Sequence, residues 1–155
     1  MSNTIVEFTV PAVPVSQPRP RAVIRGSHAG VHEQTTIKNA DGSRKPHPIV
    51  AFKATVRMAA QEAYQGPPLE GPLRCDVLLV FPRTKGQTWK KKPMPRLPHE
   101  KKPDRDNCDK AIMDALSKLL WVDDSQVCDG RIKKVIAAGD EQPRVFIRVS
   151  RVTEV

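Results

Sequence analysis

Fifteen prolines in 155 residues set the strongest limit on what this chain can fold into. Proline fixes its own φ, lacks a backbone donor and pushes the preceding residue towards an extended conformation, so regular elements run between prolines. Pro11 and Pro14 close Thr4–Val10 (TIVEFTV), whose apolar and polar residues alternate as in a strand. Pro48 suits the first turn of a helix over Ile49–Tyr64, in which residues 49, 52, 56, 59, 60 and 63 form one apolar face. Gly66-Pro67-Pro68 ends that helix, and Leu73–Phe81 (LRCDVLLVF) turns continuously apolar late in its run, as a largely buried strand does.

The connecting stretches are basic. SQPRPRAVIR carries Arg19, Arg21 and Arg25 on a proline-stiffened connector suited to phosphate contact. Residues 26–47 read as a hairpin or long loop, with Asp41-Gly42 as a turn. Residues 82–102 hold eight Lys or Arg against one Glu and read as a mobile basic loop. There Lys90, Lys91, Lys92, Lys101 and Lys102 are candidates to grip a DNA backbone, and Trp89 is available to stack on a base or to cap the core. The stretch Asp106–Leu120 predicts a second helix, with Cys108, Ala111, Ile112, Ala115, Leu116 and Leu119 as its apolar stripe. Gln126–Ala138 and Arg144–Val152 then read as strands paired through a turn at GDEQP. The expected architecture is α+β: one compact domain over 1–155, with a small mixed sheet and two main helices.

A net charge of +9 favours nucleic acid or an anionic membrane as partner. No apolar run approaches the roughly 20 residues of a membrane span, and MSNTIVEFTV lacks a signal core, which predicts a cytoplasmic protein. Cys75, Cys108 and Cys128, odd in number and widely spaced, read as reduced thiols; with His28, His32, His47 and His99 they match no zinc-site spacing.

Within this cationic chain one window is acidic. Residues 104–129 hold seven Asp against Arg105, Lys110 and Lys118, a local charge of −4 that leaves +13 on the remainder. Acids gathered in a polyanion-binding protein are unfavourable near phosphate unless a divalent cation joins them, which is the requirement of a metal-dependent nuclease. If the chain enters Asp104 extended, residues two apart face the same way and the Asp104 and Asp106 carboxylates converge. Asp106 also stands where a helix N-cap is expected. At 100° per residue Asp106, Lys110 and Asp114 share a face, so Lys110 is either an exposed ion-pair partner of these acids or a cation acting on the reacting phosphate. Of Asp123 and Asp124, one can face the site while the other points away, and geometry leaves the choice open. Asp109 has no evident role, and Asp129 suits a turn with Gly130. A calcium loop starting at Asp104 fails, because Asp109 falls at the obligatory Gly and Ala115 at the terminal Glu.

The run KPDRDNCDKAIMDALSKLLWVDDSQVCDGRI closely resembles the RusA-type Holliday-junction resolvases, which read D-x-D-N-x-x-K-x-x-x-D-A-L and then W-x-D-D-x-Q-V. The specific match spans about residues 103–135. The resemblance implies a magnesium-dependent endonuclease, with Mn²⁺ as a possible substitute, acting as a homodimer on four-way DNA junctions in recombination and repair. It implies Asp104, Asp106 and Asp124 as metal-binding catalytic aspartates and Lys110 as the catalytic lysine. Pro103 stands where some members carry a basic residue, a place Lys101 or Lys102 could supply. Such a protein suits a bacterium or a phage equally. The rival expectations are a nuclease for flaps or forks and a non-catalytic basic DNA-binding protein.

Overall fold

The computed structural model describes residues 3–155. Its sheet is built on β6 (Leu73–Phe81), the strand whose late residues are apolar on both faces. Antiparallel to β6 runs β10 (Arg144–Arg151), and antiparallel to β10 runs β1 (Thr4–Val10) at the edge. On the other side of β6 lie β8 (Val127–Asp129) and β9 (Ile132–Ile136), both parallel to it, and β7 (Leu97–Pro98) closes that edge against β9. The order is therefore β1-β10-β6-β9-β7, with β8 beside the start of β6. Two small antiparallel hairpins stand apart, β2 (Arg21–Arg25) with β3 (His28–His32) and β4 (Thr36–Lys38) with β5 (Arg44–Pro46).

One face of the sheet is covered by α1 (Pro48–Ala63) and α2 (Arg105–Leu116). Ile49, Phe52, Val56 and Ala60 of α1 and Cys108, Ala111, Ile112, Ala115 and Leu116 of α2 bury the helical stripes read from the sequence. They meet Leu73, Cys75, Val77, Leu79 and Phe81 of β6 and Val145, Ile147 and Val149 of β10. The opposite side of β6 explains its doubled apolarity: Val80 packs with Val135 and Ala137 in a second, smaller cluster.

Three expectations are corrected. The strands after α2 do not pair with each other, because β6 lies between them. The crossover through α2 lands β9 parallel to β6, held by main-chain bonds such as Ala137 N–H to the Phe81 carbonyl (2.8 Å). The 137–143 link must therefore cross two inter-strand spacings, about 10 Å, which a tight hairpin turn does not span. The second helix begins at Arg105 and stops at Leu116, not at Leu120. Ser117 leaves the helix and Lys118 takes φ +65°, so the chain reverses and returns Leu120 and Trp121, both fully buried, to the core. The connector ahead of residue 26 is already structured, since β2 starts at Arg21.

The stretch 82–102 is folded against its own residues and β9. Arg83 donates to the carbonyls of Gln87 (2.8 Å), Pro95 (2.7 Å) and Ala137 (2.9 Å). Trp89 lies under the Arg83 guanidinium (4.8 Å) and near the Lys92 ammonium (4.7 Å), and its Nε1 donates to the Pro93 carbonyl (2.9 Å). At the next turn Glu141 accepts from Arg96 (2.6 Å), from Arg144 (2.9 Å) and from the Ala138 amide (3.0 Å), tying the loop to the end of the sheet.

Candidate active site

Asp104 is the N-cap of α2, with extended backbone (φ −68°, ψ 142°), and its carbonyl accepts from Cys108 N–H at 3.2 Å. Its carboxylate makes no capping bond, so an exposed anion stands free at the helix start. Asp106 lies inside the first turn and is also exposed. The expected placement is thus shifted: Asp104, not Asp106, caps the helix, and the two acids flank a helix N-terminus instead of sharing one face of a strand. The reason is the early start of α2, and the partial positive charge of that terminus favours both anions.

The approach to Asp104 is held from beneath by Lys134 of β9, whose Nζ donates to the carbonyls of Lys101 (2.7 Å) and Pro103. In β9 register, Ile132, Lys134 and Ile136 pair with Val77, Leu79 and Phe81, so Lys134 points to the helix-covered face. The alternation Ile-Lys-Lys-Val-Ile carried this signal, since a Lys two residues from each Ile shares their side of the strand. Arg19 and Lys102 share with Asp104 and Asn107 an open cleft of about 510 Å³. Gln17 N–H donates to the Asn107 carbonyl (2.9 Å), which fixes the segment bearing Arg19 to the start of α2.

Lys110, one turn along, is exposed and forms no ion pair among the described residues. Asp114 does not brace it, because Asp114 pairs with Lys53 of α1 (3.6 Å).

After α2, the two adjacent aspartates have different tasks. Asp123 accepts from Ser125 N–H (2.8 Å) and starts a short 3-10 turn, Asp124–Gln126. Asp124 instead accepts from Nε1 of the fully buried Trp121 at 2.7 Å. Gln126 completes the motif: its Oε1 accepts from the amides of Val122 and Asp123 (both 2.9 Å), and its Nε2 donates to the carbonyls of Leu69 (2.9 Å) and Gly71 (3.0 Å). Trp121 thus holds Asp124, while Gln126 ties the Val122–Asp123 backbone to the Leu69–Gly71 segment.

Between these groups lies Asp109, to which the sequence assigned no role. It is half-buried, and burial together with the charge of Asp124 raises its carboxyl above the usual carboxylate range, against the opposing pull of Arg105. Its Oδ1 is buried without a hydrogen-bond partner among the described residues. Asp109 and Met113, one turn apart, face a cleft shared with Cys75 and Cys128. The Cys75 thiol is pushed up to about 12 by burial, with Asp109 and Asp76 adding to the effect. The Cys108 thiol is pushed up to about 11 by burial; nearby Lys134 opposes the shift, and Asp104, Asp106 and Asp109 add to it. All three cysteines are free, as expected, and neither buried one is an activated nucleophile.

Carboxylate oxygens are the donors that suit a hard divalent cation, and the orphaned Oδ1 of Asp109 is a further oxygen of that kind. Among the described residues no three His, Cys, Asp or Glu side chains stand close enough together to hold a metal ion. Asp104 and Asp106 are exposed and Asp124 is half-buried; their oxygens suit a cation by chemistry, but the structure does not gather the three side chains into one site. Lys90, Lys91 and Lys92 are exposed on the 82–102 loop, Lys101 and Lys102 directly precede the site, and Arg21 and Arg25 lie on the β2–β3 hairpin.

Residues 11–150 match the family described as Endodeoxyribonuclease RusA. The chain belongs to the RusA family. It is therefore an endodeoxyribonuclease of the crossover-junction class, built on an α+β domain. It is also similar to the "Uncharacterized protein YqaN" of Bacillus subtilis (strain 168), with 33% identity over 153 residues, covering 96% of this chain and 97% of that protein. In this RusA-family member the match thus reaches well beyond the motif in residues 103–135, from residue 11 to residue 150. No helix among the described residues is long and apolar enough to cross a membrane.

Proposed function

We propose that this RusA-family endonuclease resolves four-way DNA junctions as a homodimer, by paired symmetric cuts that depend on Mg²⁺. The observation that carries the site assignment is the unequal fate of the paired aspartates: Asp123 caps a turn, whereas Asp124 is gripped by a buried indole and kept in a defined pose. A carboxylate held by a buried donor is positioned for work outside the fold, as supporting partners of metal ligands are.

Asp104, Asp106 and Asp124 would hold the cation, with Mn²⁺ able to replace Mg²⁺; when bound, it supplies charge neutralisation at the scissile phosphate and a more acidic attacking water. The protein's own part is positioning. The N-terminus of α2 carries Asp104, which lines the groove, and Asp106 in its first turn, and Lys134 fixes the turn that leads into them. The free ammonium of Lys110 is one helical turn away, where it can offset the charge that grows on the phosphoryl oxygens during attack. Arg19 and Lys102 line the same cleft, and Lys90, Lys91, Lys92, Lys101, Arg21 and Arg25 extend the cationic surface along backbone phosphates. Two-fold symmetry suits a junction that is resolved by two equivalent cuts. The free thiols accord with a reducing cytoplasm.

Cleavage of a synthetic four-way junction, a flap and a linear duplex, side by side with and without Mg²⁺, tests this reading. The junction should be cut at symmetric positions, and Asp104→Asn and Asp106→Asn should abolish cutting while junction binding persists. Equal cutting of linear duplex would refute junction selectivity, and active Asp104→Asn would refute the site.

A further inference from the structure

The β2–β3 hairpin has two chemically opposite faces and packs on almost nothing else. Its register pairs Arg21 with His32, Val23 with Gly30 and Arg25 with His28 on one side, and Ala22 with Val31 and Ile24 with Ala29 on the other. One face is therefore cationic and the other entirely apolar. Ile24 is 78% exposed and Val31 72%, although other elements of this domain bury their apolar faces. Contacts of β2 and β3 are chiefly with each other. The root of the hairpin is nevertheless fixed at the catalytic groove, because Arg19 lines the cleft of Asp104 and Gln17 is bonded to Asn107 of α2.

A second copy of the chain is a poor occupant for the apolar face. Strands of this length give a patch of roughly 17 Å by 10 Å, on the order of 170 Å², against about 800 Å² per partner in a stable interface. Charge favours a polyanion, and the apolar side then needs a flat apolar surface bordered by phosphate. An unstacked base pair at a DNA branch is such a surface, and aliphatic side chains are able to wedge against exposed bases.

Resting on the junction reading above, we propose that the β2–β3 hairpin is a two-faced wedge for the branch point: Ile24 and Val31 lie on the exposed base face of one arm, and Arg21 and Arg25 hold phosphates of the adjacent arm. A ribbon reaching about 17 Å from the groove spans roughly five nucleotide rises, which couples branch position to cutting position.

The test uses the full chain without divalent cation, a four-way junction carrying 2-aminopurine at the branch or mid-arm, and a linear duplex of the same sequence. Wild type should raise fluorescence at the branch and not mid-arm. Ile24→Ser combined with Val31→Ser should remove that rise and lower the preference for junction over duplex by about tenfold, with duplex affinity nearly unchanged. Arg21→Gln with Arg25→Gln should weaken both substrates by similar factors and reduce the salt dependence of binding. Both pairs are exposed, so melting temperatures should match wild type. If wild type cuts junctions with Mg²⁺ while the Ile24/Val31 double variant keeps full junction preference, the wedge is overturned and the junction reading stands. If wild type shows no preference for junctions, both fall. Conversion of a dimer to a monomer by the double variant, seen in sedimentation, would assign the face to a second copy and also overturn the wedge.

Discussion

Trp121→Phe should separate what the buried indole does for folding from what it does for Asp124. Trp121 is fully buried, and its Nε1 donates to Asp124 Oδ1 at 2.7 Å. A hydrogen bond to an ionised acceptor contributes about 1.5–3 kcal/mol. Asp124 is half-buried, so water replaces part of the lost donor and the lower end applies. Phe keeps one ring in the core and forfeits the rest of the indole, a truncation costing about 1–2 kcal/mol more. The total, about 2–4 kcal/mol, should lower Tm by roughly 5–15 °C for a domain of this size. Freeing Asp124 should reduce cleavage by about 10–100-fold, the usual effect of removing a partner that orients a ligand. The companion variant, Asp124→Asn, keeps an oxygen for the indole and should change stability by less than about 1 kcal/mol while lowering cleavage further than Trp121→Phe does. Single-turnover cleavage of an end-labelled four-way junction, below the lowered Tm, reads activity, and urea denaturation reads stability. A folded Trp121→Phe protein that cuts at the wild-type rate would refute the positioning role of Trp121, and an active Asp124→Asn would refute the role of Asp124 itself.

Gly130 has φ +150°, and a Cβ there would lie 1.9 Å from the Cys75 carbonyl oxygen, so Gly130→Ala should cost at least about 3 kcal/mol in urea denaturation by prising β8 and β9 from β6. Lys134→Met retains the aliphatic stem and loses the bonds to the Lys101 and Pro103 carbonyls; cleavage should fall more than about tenfold at saturating enzyme, with duplex affinity little changed. Arg96, with the Ala138 amide and Arg144, holds the Glu141 carboxyl well below the usual carboxylate range. Such a depressed group stabilises the fold above its ordinary pKa, and the contribution is lost as pH falls through the folded value. Glu141→Gln should therefore cost about 1–2 kcal/mol at pH 7, a gap that narrows below roughly pH 4 in paired thermal melts.

The helical stripes of Ile49–Tyr64 and of the stretch after Asp106 were legible because a 3.6-residue period has one geometric meaning, and prolines marked the end of β1 and the starts of α1 and α2. The acidic window was legible because seven Asp in a chain of charge +9 is a chemical conflict. Other features were not local. The start of α2 at Arg105 moved the cap from Asp106 to Asp104, and nothing in an Asp-x-Asp triplet distinguishes the two. Lys134 and Asp109 were passed over because each looks like one more surface charge until β9 is laid beside β6 and α2 is docked over both.

Residue order alone determined the two main helices, the strands β1, β6 and β10, the cationic surface and the motif that carries membership of the RusA family, since these depend on neighbours within a turn or a strand. Only the tertiary structure decided that β6 separates β9 from β10, that Asp114 belongs to Lys53, that Asp123 serves a turn while Asp124 is held by Trp121, and that a hairpin with one bare apolar face stands beside the groove. These outcomes turn on which distant groups meet across the core. Sequence periodicity marks the face a residue occupies and is silent about what faces it.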